Sequence, residues 1–301
     1  MLIFNGREWV GTGWVPDLPD INDKYLETDI IQEFIGKIQF KKHQDGKHPK
    51  KVDLRRGFPP VYDQGQINTC QSNACVALAE YFQQKAFGQT LDGSRLFIYK
   101  VARQLVGQYQ DKGAYNRKAM EALTFFGLPP EKYWPYNPTI VNADPPSFCY
   151  AFADNFKATE SYRYDRPNVN PEELLEIVKT QLAKHLPAMF GFPLFPSIAQ
   201  AQVTGKIPTP DPTEKPAGLH TVVAAGYDDK IIIENRTPGC QREEGALLIR
   251  NSWGEKWGDA GYGWLPYRYV LSGLTSDWWS LCNMTWINQE QFNQPNQPGQ
   301  S

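Results

Sequence analysis

A side-chain amide and a thiol stand six positions apart in this chain, at a point where a helix is predicted to begin. Gln64 precedes Cys70, and the residues after Cys70 carry apolar side chains at helical spacing. Cys70 is therefore expected at a helix N-terminus, where the helix dipole favours a thiolate. An amide N–H can stabilise the oxyanion that forms when a thiolate attacks a carbonyl. The spacing predicts a cysteine nucleophile with Gln64 as an oxyanion donor.

A cysteine nucleophile needs a base, and the chain has four histidines. His43 and His48 lie in a polar, basic stretch that is typical of an exposed linker. His185 ends a helical pattern, which predicts a cation that caps the last turn. His220 enters the mostly apolar segment 218–226, which predicts a buried strand that would fix its ring. His220 is therefore the predicted base.

The base in turn needs a group that orients it. Asn251 follows an apolar run and opens a loop rich in glycine and tryptophan. An amide can hold the imidazole of His220 in one tautomer without adding a charge, which suits a resting thiolate and imidazolium. Trp253 is expected to cover the hydrogen bond between His220 and Asn251. Cys70, His220 and Asn251 thus predict a catalytic triad.

The motifs that carry these residues resemble the papain family of cysteine peptidases: 63–70, 219–227 and 250–258. His220 follows Cys70 by 150 positions, which fits that family. Asn251 lies farther along than usual, and we attribute the excess to a longer hairpin over 228–244. The lead-in at 60–65 is similar to the bacterial branches of the family.

The resemblance implies an α+β fold in which a helical lobe and a β-barrel-like antiparallel sheet lobe enclose the active-site cleft. It implies an endopeptidase that hydrolyses peptides or proteins through an acyl-enzyme thioester, without a metal or other cofactor, as a monomer. The expected boundaries are a catalytic domain over 51–288, with its helical lobe at about 60–150 and its β lobe at about 151–288, and a disordered tail over 289–301.

Further positions resemble the substrate-binding residues of the family. Gly113 and Ala114 resemble the segment that pairs with the substrate backbone. Leu219 and Gly191 resemble positions that line the S2 pocket, which implies an apolar P2 residue. Trp253 is also expected to contribute to substrate binding.

Three residues near the nucleophile depart from the family pattern. Ile67 stands where many members have a cysteine that staples the loop, Asn68 stands at a usual glycine, and Gln71 replaces the usual tryptophan. If position 68 needs a positive φ, Asn tolerates it, but its side chain would crowd the S1 side of the cleft. These departures affect the expected specificity more than the expected chemistry.

Residues 1–50 precede the region that resembles the mature enzymes. In this family such a segment typically crosses the cleft backwards and blocks it. We therefore expect residues 1–50 to inhibit the enzyme as a pro-segment, and we expect its removal within the basic linker 41–51 to activate the enzyme.

Composition excludes other classes of protein. A net charge of −2 gives no electrostatic footprint for nucleic acid. No apolar run approaches the length of a membrane span, and the start lacks the features of a signal peptide, so the sequence predicts a cytoplasmic protein unless it uses a non-standard secretion route. Five cysteines cannot all pair, and without a signal peptide the reduced state is favoured.

Two other functions stay open. A catalytically silent papain-like binding protein would share the fold, but the intact triad residue types argue against it. An acyl transferase or peptide ligase would use the same thioester, and the residues do not separate it from a hydrolase.

Overall fold

The computed structural model describes residues 2–4, 7–9, 13–37, 48–88, 91–237, 239 and 242–284. The predicted tail, His43, most of the basic linker and Cys240 lie outside these residues. The helices are α1 (Asp29–Lys37), α2 (Cys70–Phe87), α3 (Arg95–Gln104), α4 (Asn116–Phe125), α5 (Ser147–Ala153), α6 (Pro171–Ala183) and α7 (Tyr267–Leu271). The strands are β1 (Leu2–Phe4), β2 (Arg7–Trp9), β3 (Trp14–Val15), β4 (Lys51–Asp53), β5 (Ala114–Tyr115), β6 (Ala158–Arg163), β7 (Ala188–Leu194), β8 (Gly218–Glu234), β9 (Arg242–Arg250), β10 (Tyr262–Pro266) and β11 (Ser276–Met284).

A seven-stranded sheet forms one side of the cleft. Its strand order is β10-β9-β8-β7-β11-β6, and β4 also pairs with β8. Every pairing in this sheet is antiparallel. His220 lies near the start of β8, opposite Phe192, and β9 ends at Arg250 just before Asn251. The register of three neighbouring strands therefore brings the predicted base and its orienting amide to one edge of the sheet.

The central helix α2 forms the other side. Every residue from Cys70 to Tyr81 is buried, as expected for a helix that is covered all around. It packs on α3 and α4 on one side and on the sheet on the other, and one apolar cluster includes α2 together with Val223 of β8 and Trp279 of β11. This packing fixes the start of α2 against the strand that carries His220.

Side-chain caps begin two of the other helices. The Ser94 hydroxyl caps α3 by accepting the Phe97 N–H at 3.3 Å, and the Asn170 side chain caps α6 by accepting the Glu173 N–H at 2.8 Å. The predicted α+β fold with a helical lobe and an antiparallel sheet lobe is confirmed. The sheet lobe is not one continuous stretch, because β4 precedes the helical lobe and yet pairs with β8. The domain boundaries stay a prediction.

Two histidines, His48 and His185, lie outside the cleft and contact side chains of the protein body. The His48 Nε2 lies 2.9 Å from the Thr180 Oγ1 and 3.0 Å from Glu176, so this end of the linker packs on α6. His185 lies beyond the end of α6 with a φ of 61°, and its Nδ1 is 3.0 Å from the Lys85 Nζ. Burial and the Lys85 charge lower the pKa of His185. The prediction that His185 is a capping cation is therefore wrong.

The described cysteines Cys70, Cys75 and Cys149 are buried free thiols. Within the described ranges no helix is long and apolar enough to cross a membrane. The same part of the chain holds no cluster of three or more His, Cys, Asp or Glu residues that could bind a metal ion.

Candidate active site

Cys70 is the first residue of α2, so the predicted helix start is confirmed. Its thiol is fully buried against β8, where Thr221, the residue after His220, lies within hydrogen-bonding reach of it. Cys70, Thr221 and Asn251 also line one small cavity between α2 and the sheet. The fold thus brings the predicted nucleophile to the strand that carries the predicted base.

His220 is held in one orientation from two sides. Its Nε2 lies 2.8 Å from the Asn251 Oδ1, and because an amide oxygen can only accept, Nε2 must carry the proton. The same Oδ1 accepts the Ser252 backbone N–H at 2.8 Å, which fixes the orientation of the amide. The Trp253 indole stacks on the imidazole with the ring centroids 4.7 Å apart. Nδ1 is therefore the nitrogen that can exchange a proton with a nucleophile.

Trp253 lies where the sequence placed it relative to His220 and Asn251. Its ring stacks on the imidazole, and it also forms a T-shaped contact with Trp257, with the ring centroids 5.3 Å apart. The stacking on His220 gives Trp253 a role in positioning the imidazole. Its predicted contribution to substrate binding stays a prediction.

The Gln64 side chain is buried, and both ends of its amide are fixed. Its Oε1 accepts the Ser252 hydroxyl at 2.6 Å, and its Nε2 donates to the Ile67 carbonyl at 2.9 Å. The Gln64 backbone N–H donates to the Ser252 carbonyl at 2.8 Å, which ties this loop to the residue after Asn251. An amide nitrogen carries two hydrogens, so the second N–H is available to an oxyanion.

The loop before Cys70 is secured without a disulfide. The Tyr136 hydroxyl donates to the Gln64 carbonyl at 2.9 Å and also bonds the Thr69 hydroxyl. The Arg95 guanidinium lies over the Tyr136 ring at 4.1 Å and over the Tyr62 ring at 4.0 Å. These contacts hold both ends of the loop that the sequence left without its usual cysteine staple.

Asn68 and Gln71 lie beside the nucleophile in ordinary backbone conformations. Asn68 does not adopt a positive φ. Its backbone N–H donates to the Asp111 Oδ1 at 3.1 Å, and its Nδ2 donates to the Asp111 carbonyl at 3.1 Å. The Gln71 Oε1 lies 3.5 Å from the Cys70 sulfur. Asn68 therefore links the nucleophile loop to the segment before Gly113.

Burial favours the neutral form of both the predicted nucleophile and the predicted base. It raises the pKa of the Cys70 thiol to about 11, although contacts with Thr221, Gly13 and Gln71 act in the opposite direction. Burial also lowers the pKa of His220 to about 4, and the hydrogen bond with Asn251 offsets this only in part. These shifts favour a neutral thiol and a neutral imidazole over the expected resting thiolate and imidazolium. The loss of water at the sulfur outweighs the contacts with Thr221, Gly13 and Gln71.

The N-terminal segment, within residues 1–50, packs against this site at Gly13. The Gly13 N–H donates to the Leu219 carbonyl at 3.2 Å, and the Gly13 carbonyl accepts the Ala114 N–H at 2.9 Å. Trp14 then pairs with Ala114 in a short parallel ladder between β3 and β5. Gly13 also contacts Cys70. Ala114 and Leu219, two predicted substrate-binding residues, are thus hydrogen-bonded to Gly13 of the N-terminal segment.

Glycines allow the segment to approach this closely. A Cβ on Gly113 would lie 2.2 Å from the Gly13 carbonyl oxygen, and a Cβ on Gly191 would lie 2.1 Å from the Trp14 indole. A Cβ on Gly13 itself would lie 2.3 Å from the Asn68 carbonyl oxygen. The segment therefore fills the space beside all four of the remaining predicted substrate-binding residues.

Ion pairs hold the next part of the segment against the protein body. Asp17 and Asp23 belong to the segment, and Arg117 and Arg163 belong to the body; together we call them the anchor. The Arg117 Nε donates to the Asp17 Oδ2 at 2.7 Å, and Arg117 also pairs with Asp23. The Arg163 Nη1 lies 3.7 Å from the Asp23 Oδ2, and its Nη2 donates to the Asp17 carbonyl at 3.1 Å. The side chains of Asp23 and Arg163 are almost completely buried.

Sequence reasoning missed the anchor and one more residue, Asp277. Asp277 is fully buried under Trp14 and has a φ of 61°. Aspartate and arginine are common at surfaces, and each anchor pair joins residues far apart in the chain. Nothing in the local pattern distinguishes these residues from solvated charges. A hydrophobic tryptophan two residues before a proline, at Trp14, was the one available signal of a buried segment.

The chain is similar to known proteins over most of its length. The sequence profile of papain family cysteine proteases matches residues 48–276. An uncharacterized peptidase C1-like protein of Acanthamoeba polyphaga mimivirus is 30% identical over 284 residues, which cover 91% of this chain and 87% of the viral protein. Xylellain, a cysteine protease from Xylella fastidiosa, is 31% identical with a TM-score of 0.71, and the match covers 93% of this chain and 98% of xylellain. Digestive procathepsin L 3 of the Tenebrio molitor larval midgut is 17% identical with a TM-score of 0.58 over 83% of this chain and 78% of its own, a likeness of fold alone.

Proposed function

The chain belongs to the papain family of cysteine proteases, and we propose that it is a latent endopeptidase in which Cys70, His220, Asn251 and Gln64 carry the reaction. The observation that supports this most is the 2.8 Å bond between the His220 Nε2 and the Asn251 Oδ1, with Thr221 of the same strand in contact with Cys70. That bond fixes the tautomer and leaves the Nδ1 of His220 for the thiol.

The reaction begins when the cleft opens and water or substrate replaces the segment. The pKa of the thiol then falls and that of the imidazole rises, because burial is the main cause of both shifts. The Cys70 proton moves to the His220 Nδ1, and the sulfur attacks the peptide carbonyl carbon. The free N–H of the Gln64 amide and the Cys70 backbone N–H stabilise the oxyanion.

The intermediate collapses to a thioester as His220 gives its proton to the departing amine. A water molecule then loses a proton to His220 and attacks the thioester carbonyl. The sulfur leaves, recovers the proton, and the acid is released. Asn251 keeps the ring oriented through both halves, and the Trp253 face shields that bond from water.

Endopeptidase action is supported by the path of the chain's own segment. Gly13 contacts Cys70, and the described chain continues from there through Trp14 to the anchor. Before Gly13 in the chain, β1 lies next to Pro196–Ala201 of the sheet lobe. Parts of the chain before and after Gly13 therefore contact the protein body, and an endopeptidase substrate must likewise extend past the nucleophile in both directions.

Latency is supported by the same contacts. Gly13 takes the backbone hydrogen bonds that Ala114 and Leu219 offer, and Trp14 fills the space in front of Gly191. A substrate cannot reach Cys70 while these contacts persist. We therefore propose that the segment inhibits its own chain, and that release of the segment from the cleft activates the enzyme.

A thiol-reactive peptidyl epoxide tests both parts of this proposal. In full-length protein, Gly13→Ala should speed epoxide labelling by about tenfold or more, because the added Cβ overpacks the contact with Asn68 and displaces the segment. Gly36→Ala, on α1 of the same segment, is the matched control, since a Cβ there meets nothing within 4 Å. Mass spectrometry should place the label on Cys70, and Cys70→Ala should abolish it.

Each failure has a separate meaning. Equal labelling of the parent and the Gly13→Ala chain would contradict latency. An opened chain that never labels at Cys70 would favour a silent binding protein. Peptide products that incorporate an added amine in preference to water would favour acyl transfer over hydrolysis.

A further inference from the structure

The pocket that Trp14 fills ends at a buried carboxylate. The Trp14 Nε1 donates to the Asp277 Oδ2 at 3.0 Å, and both residues are buried. The wall of this pocket is Gly191, where a Cβ would lie 2.1 Å from the indole. The prediction of an apolar P2 residue came from the walls, Gly191 and Leu219. It did not include the floor.

Asp277 is held by the protein body and does not depend on the N-terminal segment. Its Oδ1 accepts the Trp279 Nε1 at 2.7 Å, and its backbone N–H donates to the Asp165 Oδ2 at 2.7 Å. Its carbonyl accepts the Asn116 Nδ2 at 3.0 Å. The Arg163 Nη1 lies 3.6 Å from Oδ1 and offsets part of its charge. When the segment leaves, the carboxylate stays in place and Oδ2 loses the Trp14 donor.

The pocket lies next to the nucleophile. Gly13, which contacts Cys70, is the residue before Trp14. Asn116, which holds the backbone of Asp277, accepts the Thr221 hydroxyl at 2.8 Å, and Thr221 contacts Cys70 as well. A substrate that binds where Gly13 now lies would therefore place a neighbouring side chain, P2 in our assignment, above Asp277.

We propose that Asp277 determines the specificity of this peptidase by selecting a P2 side chain that ends in an N–H donor, tryptophan above all. The inference rests on the proposed function and names the substrate class of that site. A side chain of the same size without the donor would leave a dehydrated carboxylate oxygen without its hydrogen bond, and such mismatches are strongly disfavoured. Phenylalanine and leucine at P2 should be poor substrates.

The test compares two peptides that differ in one atom group. One carries tryptophan at P2, and the other carries 3-benzothienylalanine, an isostere in which sulfur replaces the indole N–H. In the full-length Gly13→Ala chain, kcat/KM for the tryptophan peptide should be about tenfold or more above that for the isostere. A ratio close to one would overturn the proposal.

Asp277→Gly supplies the second arm. Glycine tolerates the positive φ at this position and removes the acceptor. General damage to the fold lowers both rates together, whereas loss of the acceptor brings the ratio of the two rates close to one. Asp277→Asn, which also tolerates this backbone, should give an intermediate ratio. An unchanged ratio in Asp277→Gly would contradict the assigned role.

Failure of the proposed function can be told apart from failure of this inference. If the Gly13→Ala chain cleaves neither peptide, the peptidase proposal fails. The affinity of the same two peptides for the Gly13→Ala, Cys70→Ala chain still reports on the pocket, since that chain cannot turn them over. Tighter binding of the tryptophan peptide there supports the role of Asp277, and equal binding refutes it.

Discussion

The proposed catalytic centre and the anchor of the N-terminal segment differ in the chemistry of their contacts. In the centre, burial keeps Cys70 and His220 neutral, and Asn251 and Gln64 are amides. The anchor, by contrast, consists of carboxylates and guanidinium groups, with almost complete burial of Asp23 and Arg163. The centre must move one proton between the thiol and the imidazole once the cleft opens. An anchor must hold firmly and still release, and its ions can recover their hydration when the segment departs.

Cys70→Ala should cause the largest change, and it asks whether the neutral centre is a reactive one. Loss of the nucleophile is expected to lower kcat by roughly five to six decades, as in other pairs of nucleophile and base. Cys75→Ala is a matched control, because Cys75 is a second buried thiol of α2 whose sulfur lies 3.4 Å from the Ala119 carbonyl. Fluorogenic peptide turnover by Gly13→Ala chains measures both. Equal losses in the two variants would argue that the helix, not the thiol, is required.

Gln64→Ala tests the part of the centre that acts through a fixed dipole. Its amide is held by Ser252 and Ile67, so it is preorganised for an oxyanion. Removing one such donor should lower kcat by about two to three decades. Gln66→Ala is the control, because Gln66 is exposed two positions away. A loss below tenfold at Gln64, with KM and thermal stability unchanged, would argue against the oxyanion role.

Acid titration should reveal the neutral histidine. The pKa of His220 is about 4 in the folded chain, below its ordinary value of about 6.5. A lowered histidine pKa stabilises the fold fully above the unfolded value, and this stability is lost as the pH falls from about 6.5 to 4. His220→Asn should therefore lose about 3 kcal/mol less than the parent over this range.

Urea unfolding of both chains at pH 7 and pH 4 gives this difference directly. Asp277 and Asp23, whose pKa values are raised, work in the opposite sense in the parent and in the variant alike. Parallel pH profiles for the two chains would show that folding does not lower the pKa of His220.

The anchor is expected to produce the smallest effect of the four. Asp23→Ala removes a buried partner of Arg117 and Arg163, while Asp17 and Asp165 still offset these cations. Epoxide labelling of Cys70 in the full-length chain should rise by about tenfold to a hundredfold. Glu27→Ala is the control, since its pair with Arg166 is exposed and contributes little.

Comparable rates of labelling in the two variants would mean that burial does not distinguish the anchor from a surface ion pair. The contrast drawn between the centre and the anchor would then be wrong about the anchor, whose buried ion pairs would hold the segment no better than exposed ones.

The same contrast explains what the sequence could predict. Cys70, His220 and Asn251 are uncommon residue types inside or beside apolar segments, so a local pattern marks each of them. Strand register then brings His220 and Asn251 together. The helix start at Cys70 was predictable in the same way, from the apolar spacing of the residues that follow it. Asp277 and Arg163 depend on partners that only the folded sheet brings near. The protonation state was misjudged because the burial that shifts both pKa values arises from the folded chain and not from the residues next to Cys70 and His220 in the sequence.

The pairing of β4 with β8 has a kinetic consequence. The segment that carries Gly13 leads along the chain into β4, and β4 is bonded to the strand that carries His220. Closure of the uncut chain is therefore intramolecular, with an effective concentration that does not change on dilution. A cut between the anchor and β4 would convert the segment into an ordinary bimolecular inhibitor, so the fraction of active enzyme would then depend on the total concentration of the protein.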